Sequence, residues 1–170
     1  MREDEARERV QRAVEIAMAL GASDAEARIV LARRFSAAAR AERITKLDLS
    51  EGRSLSMRLF LDGRKGVLVG THWSDDEIRS GVATALEQAR YVGVDPFAGL
   101  PEARDLPNLD LDLYDRRVEE RRDEDRLDDV RQVERSIRLA DPRVDNSNGS
   151  HYNDACVTMA LANSRGMLGS

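Results

Sequence analysis

One short segment of the sequence holds side chains that could carry chemistry. His151, Asp154 and Cys156 supply imidazole, carboxylate and thiol groups, which are the ligand types that zinc accepts in proteins. In an extended strand, residues an odd number apart point to opposite faces, so His151 and Cys156 diverge while Asp154 and Cys156 share a face. Because zinc needs three or four converging ligands, the spacing favours a polar turn leading into a strand over a metal site.

Cys156 and a second histidine, His72, each have a functional and a structural interpretation. Cys156 would act as a nucleophile only beside a base or a helix N-terminus, and its neighbours Val157 and Met159 favour a small buried core residue instead. His72 lies between a predicted strand and a helix cap. It is either a surface recognition residue or simply a partly exposed residue beside the cap. An independent hydrolase that uses His151, Asp154 and Cys156 is one functional hypothesis for the chain.

The elements before this segment follow from the spacing of apolar residues. Helical spacing predicts an amphipathic helix over 3–20, which Gly21 ends. Alternating spacing then predicts antiparallel strands over 24–72, in which Asp62-Gly63 forms a type I′ turn. A capping box formed by Ser74 and Glu77 opens a helix over 74–92.

The residue pattern in the second half of the chain predicts a linker over 93–114, a helix over 123–140 and strands over 143–170. The predicted apolar stripe of the later helix consists of Leu127, Val130, Val133, Ile137 and Ala140. We therefore expect one domain, 1–170, of the α+β class: an antiparallel sheet with three amphipathic helices packed on one face. A last strand begins at Met167 and stops at once, so we expect a C-terminally truncated fold.

Composition excludes several classes of protein. The 32 acidic and 27 basic side chains give a net charge of −5, without the basic excess typical of nucleic-acid binding. The single cysteine permits no intramolecular disulfide and fits a reducing compartment. No apolar run reaches the roughly 18 residues of a membrane span. These features predict a cytoplasmic protein that contacts neither membrane nor nucleic acid.

Five motifs resemble, in order, those of the TldD/TldE family, also known as modulators of DNA gyrase. The motifs are LGASDAE at 20–26, FLDGRKG at 60–66, DPFAGLP at 95–101, LDLYD at 111–115, and ADPRV at 140–144 followed by Asn146-Ser147. The last three are similar to the TldE (PmbA) branch. The chain departs from the family at Ala41-Glu42, where the family has an Asn-Gly or Asp-Gly turn.

The resemblance implies the N-terminal domain of a TldE-like subunit, a non-catalytic module. In that family, TldE pairs with TldD in a heterodimeric zinc metalloprotease that acts on unfolded or modified peptides. The HExxxH zinc helix belongs to TldD, and neither His72 nor His151 lies in such a motif. The resemblance therefore implies no catalytic, cofactor-binding or metal-ligating residue in this chain, and zinc only in a TldD-like partner.

The expected partners are a TldD-like protease subunit and its peptide substrate. A stand-alone binding or regulatory domain is the alternative. We also expect self-association through an open sheet edge, because the chain stops four residues after the turn at 163–166 and leaves the strand Val157–Leu161 short of a neighbour.

Overall fold

The computed structural model describes residues 3–101 and 112–170. Five strands form an open antiparallel sheet in the order β3-β2-β1-β4-β5, accompanied by helices, which confirms the predicted α+β class. The elements are α1 (Glu3–Ala19), β1 (Asp24–Arg40), β2 (Arg43–Leu61), β3 (Arg64–Gly70), α2 (Asp75–Ala89), α3 (Arg116–Glu120), α4 (Asp123–Ala140), β4 (Ser150–Asn163) and β5 (Leu168–Gly169).

The described residues divide into two compact units. The first unit takes residues 3–31, 53–101 and 158–170, and the second takes 32–52 and 112–157. Strands β1, β2 and β4 contribute residues to both units. The helices α1 and α2 belong to the first unit, and α3 and α4 belong to the second.

The first unit is built around a continuous apolar core. Helices α1 and α2 contact each other, and α2 contacts β3. The approach of β3 to α2 is close at Gly66, where an added Cβ would lie 2.6 Å from the backbone oxygen of Ala85. The buried residues of this core include Val10, Ile16, Ile29, Leu55, Met57, Leu59, Ile78, Val82 and Leu86.

Turns and caps in the first unit follow the predictions. Asp62 and Gly63 both have positive φ, 49° and 75°, as a type I′ turn requires. Ser74 and Glu77 form the predicted capping box of α2. Gly21, with φ of 95°, follows the end of α1.

The second unit has a much smaller apolar core. Phe35, Ala37 and Ala39 of β1 pack with Val130 of α4, and Tyr152 meets the ring of Phe35 edge-on with centroids 5.9 Å apart. The small core follows from the many alanines, each of which buries little surface.

The buried row of α4 differs from the predicted apolar stripe. Its buried residues are Arg126, Val130 and Glu134, whereas Val133 and Ile137 are exposed. The prediction holds for Val130 and for Leu127, which packs against the core. It is wrong for Val133 and Ile137, because two charged residues find partners inside the unit and are buried instead.

The strands settle three details that the alternating spacing left open. On β3 the exposed residues are Val67 and Val69, while Leu68 packs against the core. Val157 and Met159 of β4 are exposed as well. The residues after the 163–166 turn form β5, which pairs with Leu161 and Ala162.

The predicted linker is only partly described. Its first part, through Pro101, has no helix or strand, and its stretch around Pro107-Asn108 lies outside the described residues. The short helix α3 was not predicted. Within 3–101 and 112–170, the helices are all too short or too polar to span a membrane.

Candidate functional site

A charged cleft of about 390 Å³ lies in the second unit and contains two of the three residues that the sequence singled out. Asp154 and Cys156 line it, as their shared strand face predicted. Cys156 is half-buried, so the expectation of a fully buried core residue was wrong. The other residues that line the cleft are Arg33, Arg34, Phe35, Leu49, Glu119, Arg121, Arg122, Asp123, Glu124 and Arg126.

The two histidines lie elsewhere. His151 is exposed and borders a separate shallow groove beside α4, together with Val133 and Ile137. His72 is exposed just after β3 in the first unit. The structure therefore brings Asp154 and Cys156 to one cleft and leaves both imidazoles outside it.

The centre of the cleft is an ion pair between Arg126 and Asp154. Arg126 Nε lies 2.7 Å from Asp154 Oδ2, and both side chains are largely buried. The same guanidinium donates to Asp123 Oδ1 at 2.8 Å and to the backbone oxygen of Val118 at 2.7 Å. Its carbon lies 5.1 Å from the ring centroid of Phe35. These contacts fix Arg126 in a single position between α3, α4, β1 and β4.

Hydrogen bonds in the cleft favour the charged form of Arg126. Burial lowers the pKa of Arg126, but hydrogen bonds to Asp154 and Asp123 outweigh it, so the pKa is raised overall. Burial also raises the pKa of Tyr152, and its hydroxyl donates to Asp154 Oδ2 at 3.0 Å, which raises the pKa further. Asp154 Oδ2 thus accepts hydrogen bonds from both a guanidinium and a phenol.

A second buried carboxylate, Glu134, holds the tip of the β1–β2 hairpin. Glu134 Oε2 accepts from the backbone N–H of Glu42 at 2.9 Å, and Oε1 accepts from the Ser147 hydroxyl at 2.9 Å. Ala41 and Glu42 have positive φ, 50° and 60°, although neither is glycine. Burial raises the pKa of Glu134, but the hydrogen bonds from Ser147, Glu42 and Ala41 outweigh it and lower the pKa overall.

These contacts define what the cleft can do. In the described part of the chain, no group of three or more His, Cys, Asp or Glu residues is placed to hold a metal ion. Whether the chain binds zinc stays a prediction. The charged groups join α4 to the strands, and Arg33 and Arg34 lie at the rim, where the Arg33 guanidinium donates to the backbone oxygen of Glu119 at 3.3 Å.

Sequence reasoning missed Arg126 and Glu134. Both were assigned to the solvated face of the helix. Their spacing to Val130, four residues on either side, is a weak signal that they share its buried face. Their partners Asp154 and Glu42 lie 28 and 92 residues away in the chain, beyond the reach of any local pattern.

Comparison of the sequence with known proteins identifies two relatives along nearly its whole length. The metalloprotease PmbA homolog of Haemophilus influenzae is 32% identical over 173 residues, covering 99% of this chain and 37% of that protein. The metalloprotease PmbA of Escherichia coli O157:H7 is 30% identical over 166 residues, covering 95% of this chain and 36% of that protein. The chain thus spans little more than a third of the length of these relatives. No family model matches it.

Solved structures share the fold. A protein described as a modulator of DNA gyrase from Bacteroides thetaiotaomicron superposes with a TM-score of 0.86 at 22% identity, over 98% of this chain and 38% of its own. TldE from Thermococcus kodakarensis gives a TM-score of 0.71 at 16% identity, over 95% of this chain and 36% of its own. A protein described in the same way from Thermotoga maritima gives 0.74 at 17% identity, over the same shares.

The matched region lies in the N-terminal portion of these proteins. The match takes in 95–99% of this chain, and the fold agrees over nearly the whole chain. The chain is related in sequence and fold to the N-terminal part of the TldD/TldE family, in its PmbA/TldE branch.

Proposed function

We propose that this chain is the non-catalytic N-terminal module of a TldE/PmbA-like subunit, which works with a zinc-bearing TldD-like partner on unfolded or modified peptides. The observation that carries the proposal is the 32% identity over 99% of the chain to a protein named as a metalloprotease PmbA homolog. Because the match takes in only 37% of that protein, the activity of the whole protein comes to this chain as part of the proposal.

The residues that the structure describes do not fit a zinc site of their own. Asp154 already accepts from Arg126 and Tyr152, and His72 and His151 lie in different units. Under this proposal the chain has a structural and partner-binding role, and its side chains take no part in peptide hydrolysis. Zinc, supplied by the TldD-like subunit, would polarise the scissile carbonyl and activate water there.

Metal analysis of the chain tests the proposal. Protein purified without chelators should contain well below one equivalent of zinc and should not cleave an unfolded peptide. Near one equivalent of tightly bound zinc, or peptide hydrolysis by the purified chain, would contradict it. A variant that combines His151→Ala and Cys156→Ser serves as the control, because it should leave the metal content unchanged.

Pull-down with a TldD-like subunit tests the partner part of the proposal. The chain should retain that subunit on a column, and an Arg33→Glu, Arg34→Glu variant reports whether the rim of the cleft takes part. If the chain binds no TldD-like subunit while it retains another protein, the stand-alone binding domain becomes the better description.

A further inference from the structure

The outer edge of β2 is open along its first half. On this side β3 pairs with β2 only from Leu55 to Leu61, so no strand among the described residues pairs with positions 43–54. Arg43 and every residue from Thr45 to Arg53 are exposed. Two leucines are among them, Leu47 at 50% and Leu49 at 61%. This edge offers backbone groups and apolar surface together.

The charges along this edge have no partners within the described chain. Arg43, Lys46, Asp48 and Glu51 make no ion pair and no side-chain hydrogen bond among residues 3–101 and 112–170. Helix α4 of the same unit differs sharply, because its charged residues are joined in pairs such as Asp123–Arg126 and Asp128–Arg131. The four edge charges are thus available to a partner.

The order of these charges is complementary to itself. In an antiparallel pairing of two copies centred on Leu47, Lys46 lies opposite Asp48 of the second copy and Arg43 lies opposite Glu51 of the second copy. Symmetry repeats both pairs, which gives four opposite-charge pairs in one ladder. Leu47 then faces its own counterpart, with the two copies of Leu49 flanking it. Cross-strand pairs of opposite charge stabilise such a ladder, and like charges destabilise it.

The open edge of β4 has no self-complementary order of charges. Strand β5 pairs with β4 only at Leu161 and Ala162, so positions 150–160 are also open on that side among the described residues. Asp154 is the one Asp, Glu, Lys or Arg in that stretch, and it is already paired with Arg126. An antiparallel pairing there gains no charge pairs that fix a register.

We propose that the edge of β2 between Arg43 and Glu51 is a dimerisation surface, on which a second copy of this chain adds its own β2 antiparallel, centred on Leu47. A lone lysine on a strand edge discourages pairing with foreign strands. Here Lys46 lies two residues before Asp48, so it favours pairing with a second copy of this chain in the register centred on Leu47. The proposal is independent of any role in proteolysis.

Reciprocal charge variants test the pairing. Lys46→Asp places like charges opposite each other at two positions of the dimer, and so does Asp48→Lys. Each variant alone should dimerise at least about 10-fold more weakly than the natural chain in sedimentation velocity. An equimolar mixture of the two variants should regain the dimer, because residues 46 and 48 are then complementary across the interface. Rescue in the mixture also excludes misfolding as the cause of the loss.

Lys65→Asp on β3 makes the same change of charge away from the edge and should leave dimerisation unaltered. A chain that stays monomeric at high concentration overturns the proposal. So does a dimer that neither single variant weakens, and a dimer lost equally in Lys65→Asp. Binding of a TldD-like subunit at this edge, with no self-association, would assign the surface to that partner and contradict the proposal as well.

A cross-link tests the register directly. Leu47→Cys in a Cys156→Ser background places two thiols opposite each other at the two-fold axis, within the Cα separation that a disulfide needs. Mild oxidation should yield a covalent dimer. Thr45→Cys in the same background lies opposite Leu49 of the second copy and should cross-link far less. Equal yields at both positions would show that the contact is not the proposed ladder.

Discussion

The two units of the molecule hold their helices to the sheet by different means. In the first, α1 and α2 cover the strands through a contiguous set of buried aliphatic residues such as Ile16, Leu59 and Ile78. In the second, α4 adds Val130 to a cluster with three residues of β1, Leu127 packs against that cluster, and charged groups of α4 make further contacts. Arg126 bonds to Asp154 of β4 and Glu134 bonds to the β1–β2 turn, one on each side of Val130 along the buried row.

This difference predicts two kinds of response to mutation. A hydrophobic core loses free energy in proportion to the apolar volume removed, and a second substitution does not restore it. A buried ion pair costs much when one partner is removed, yet replacement of both by apolar residues is often neutral.

The largest effect is expected at the central ion pair of the second unit. Arg126→Met leaves Asp154 buried without its cation and should lower the free energy of unfolding by about 3–5 kcal/mol. Arg126→Met combined with Asp154→Leu should recover most of that loss. Urea denaturation of both variants measures it. If the double variant is as unstable as the single one, the second unit needs the charges themselves, and the contrast drawn between the two units is wrong.

A comparable but unrecoverable loss is expected in the first unit. Leu59 is fully buried, and Leu59→Ala should cost about 2–5 kcal/mol through lost burial and the cavity it leaves. Val67→Ala on the neighbouring strand is the matched control, because Val67 is half-exposed and should change stability by less than about 0.5 kcal/mol. Equal losses from the two substitutions would show that the side chains of β2 and β3 are wrongly assigned to the core and to solvent.

A smaller effect is expected at the hairpin turn of the first unit. Gly63→Val forces a β-branched residue to a φ of 75° and brings its Cβ to 3.1 Å from Val94 Cγ1. The strain should cost about 1–3 kcal/mol. A thermal melt unchanged by this substitution would contradict the turn geometry. The turn of the second unit already has Glu42 at a φ of 60°, so Glu42→Gly should stabilise it instead.

The smallest effect is expected in the acid range. The folded-state pKa of Glu134 lies below its ordinary value of 4.5, so its contribution to stability is present above pH 4.5 and is lost as the pH falls through the lowered pKa. Glu134→Gln should therefore be less stable than the natural chain at neutral pH, and the difference should narrow on acidification. Denaturation midpoints between neutral pH and pH 3 measure this. Glu124→Gln, also on α4, is the control, and a constant difference for Glu134→Gln would contradict the prediction.

The sequence predicted the first unit better than the second, for a physical reason. Where burial is apolar, the pattern is local: Leu55, Met57 and Leu59 alternate along one strand, and Gly21 follows α1. Where the buried residue is polar, its burial depends on a bonding partner that is distant in the sequence. Nothing near Glu134 in the sequence shows that Ala41 and Glu42 donate to it. Helix α4 was therefore placed correctly along the chain, and its buried face was assigned correctly at Leu127 and Val130 but wrongly at Val133 and Ile137.

The candidate site divides in the same way. Strand periodicity was enough to separate His151 from Cys156 and to put Asp154 and Cys156 on one face. It could not show that Asp154 is occupied by Arg126, since that contact depends on how α4 crosses the strands. The family resemblance came from motifs spread along the chain, and those motifs carry no information on such contacts.

The strand order has a consequence for biosynthesis. Strand β1 lies between β2 and β4, but about 110 residues separate the end of β1 from the start of β4. At roughly 5–20 residues per second, a ribosome needs about 5–20 s to supply that length. During this interval the nascent chain can form the β1–β2 hairpin, while the other side of β1 waits for its neighbour. Arg28, Arg33 and Arg34 are exposed along that strand and carry like charges, and such charges on an open edge disfavour pairing between two nascent chains.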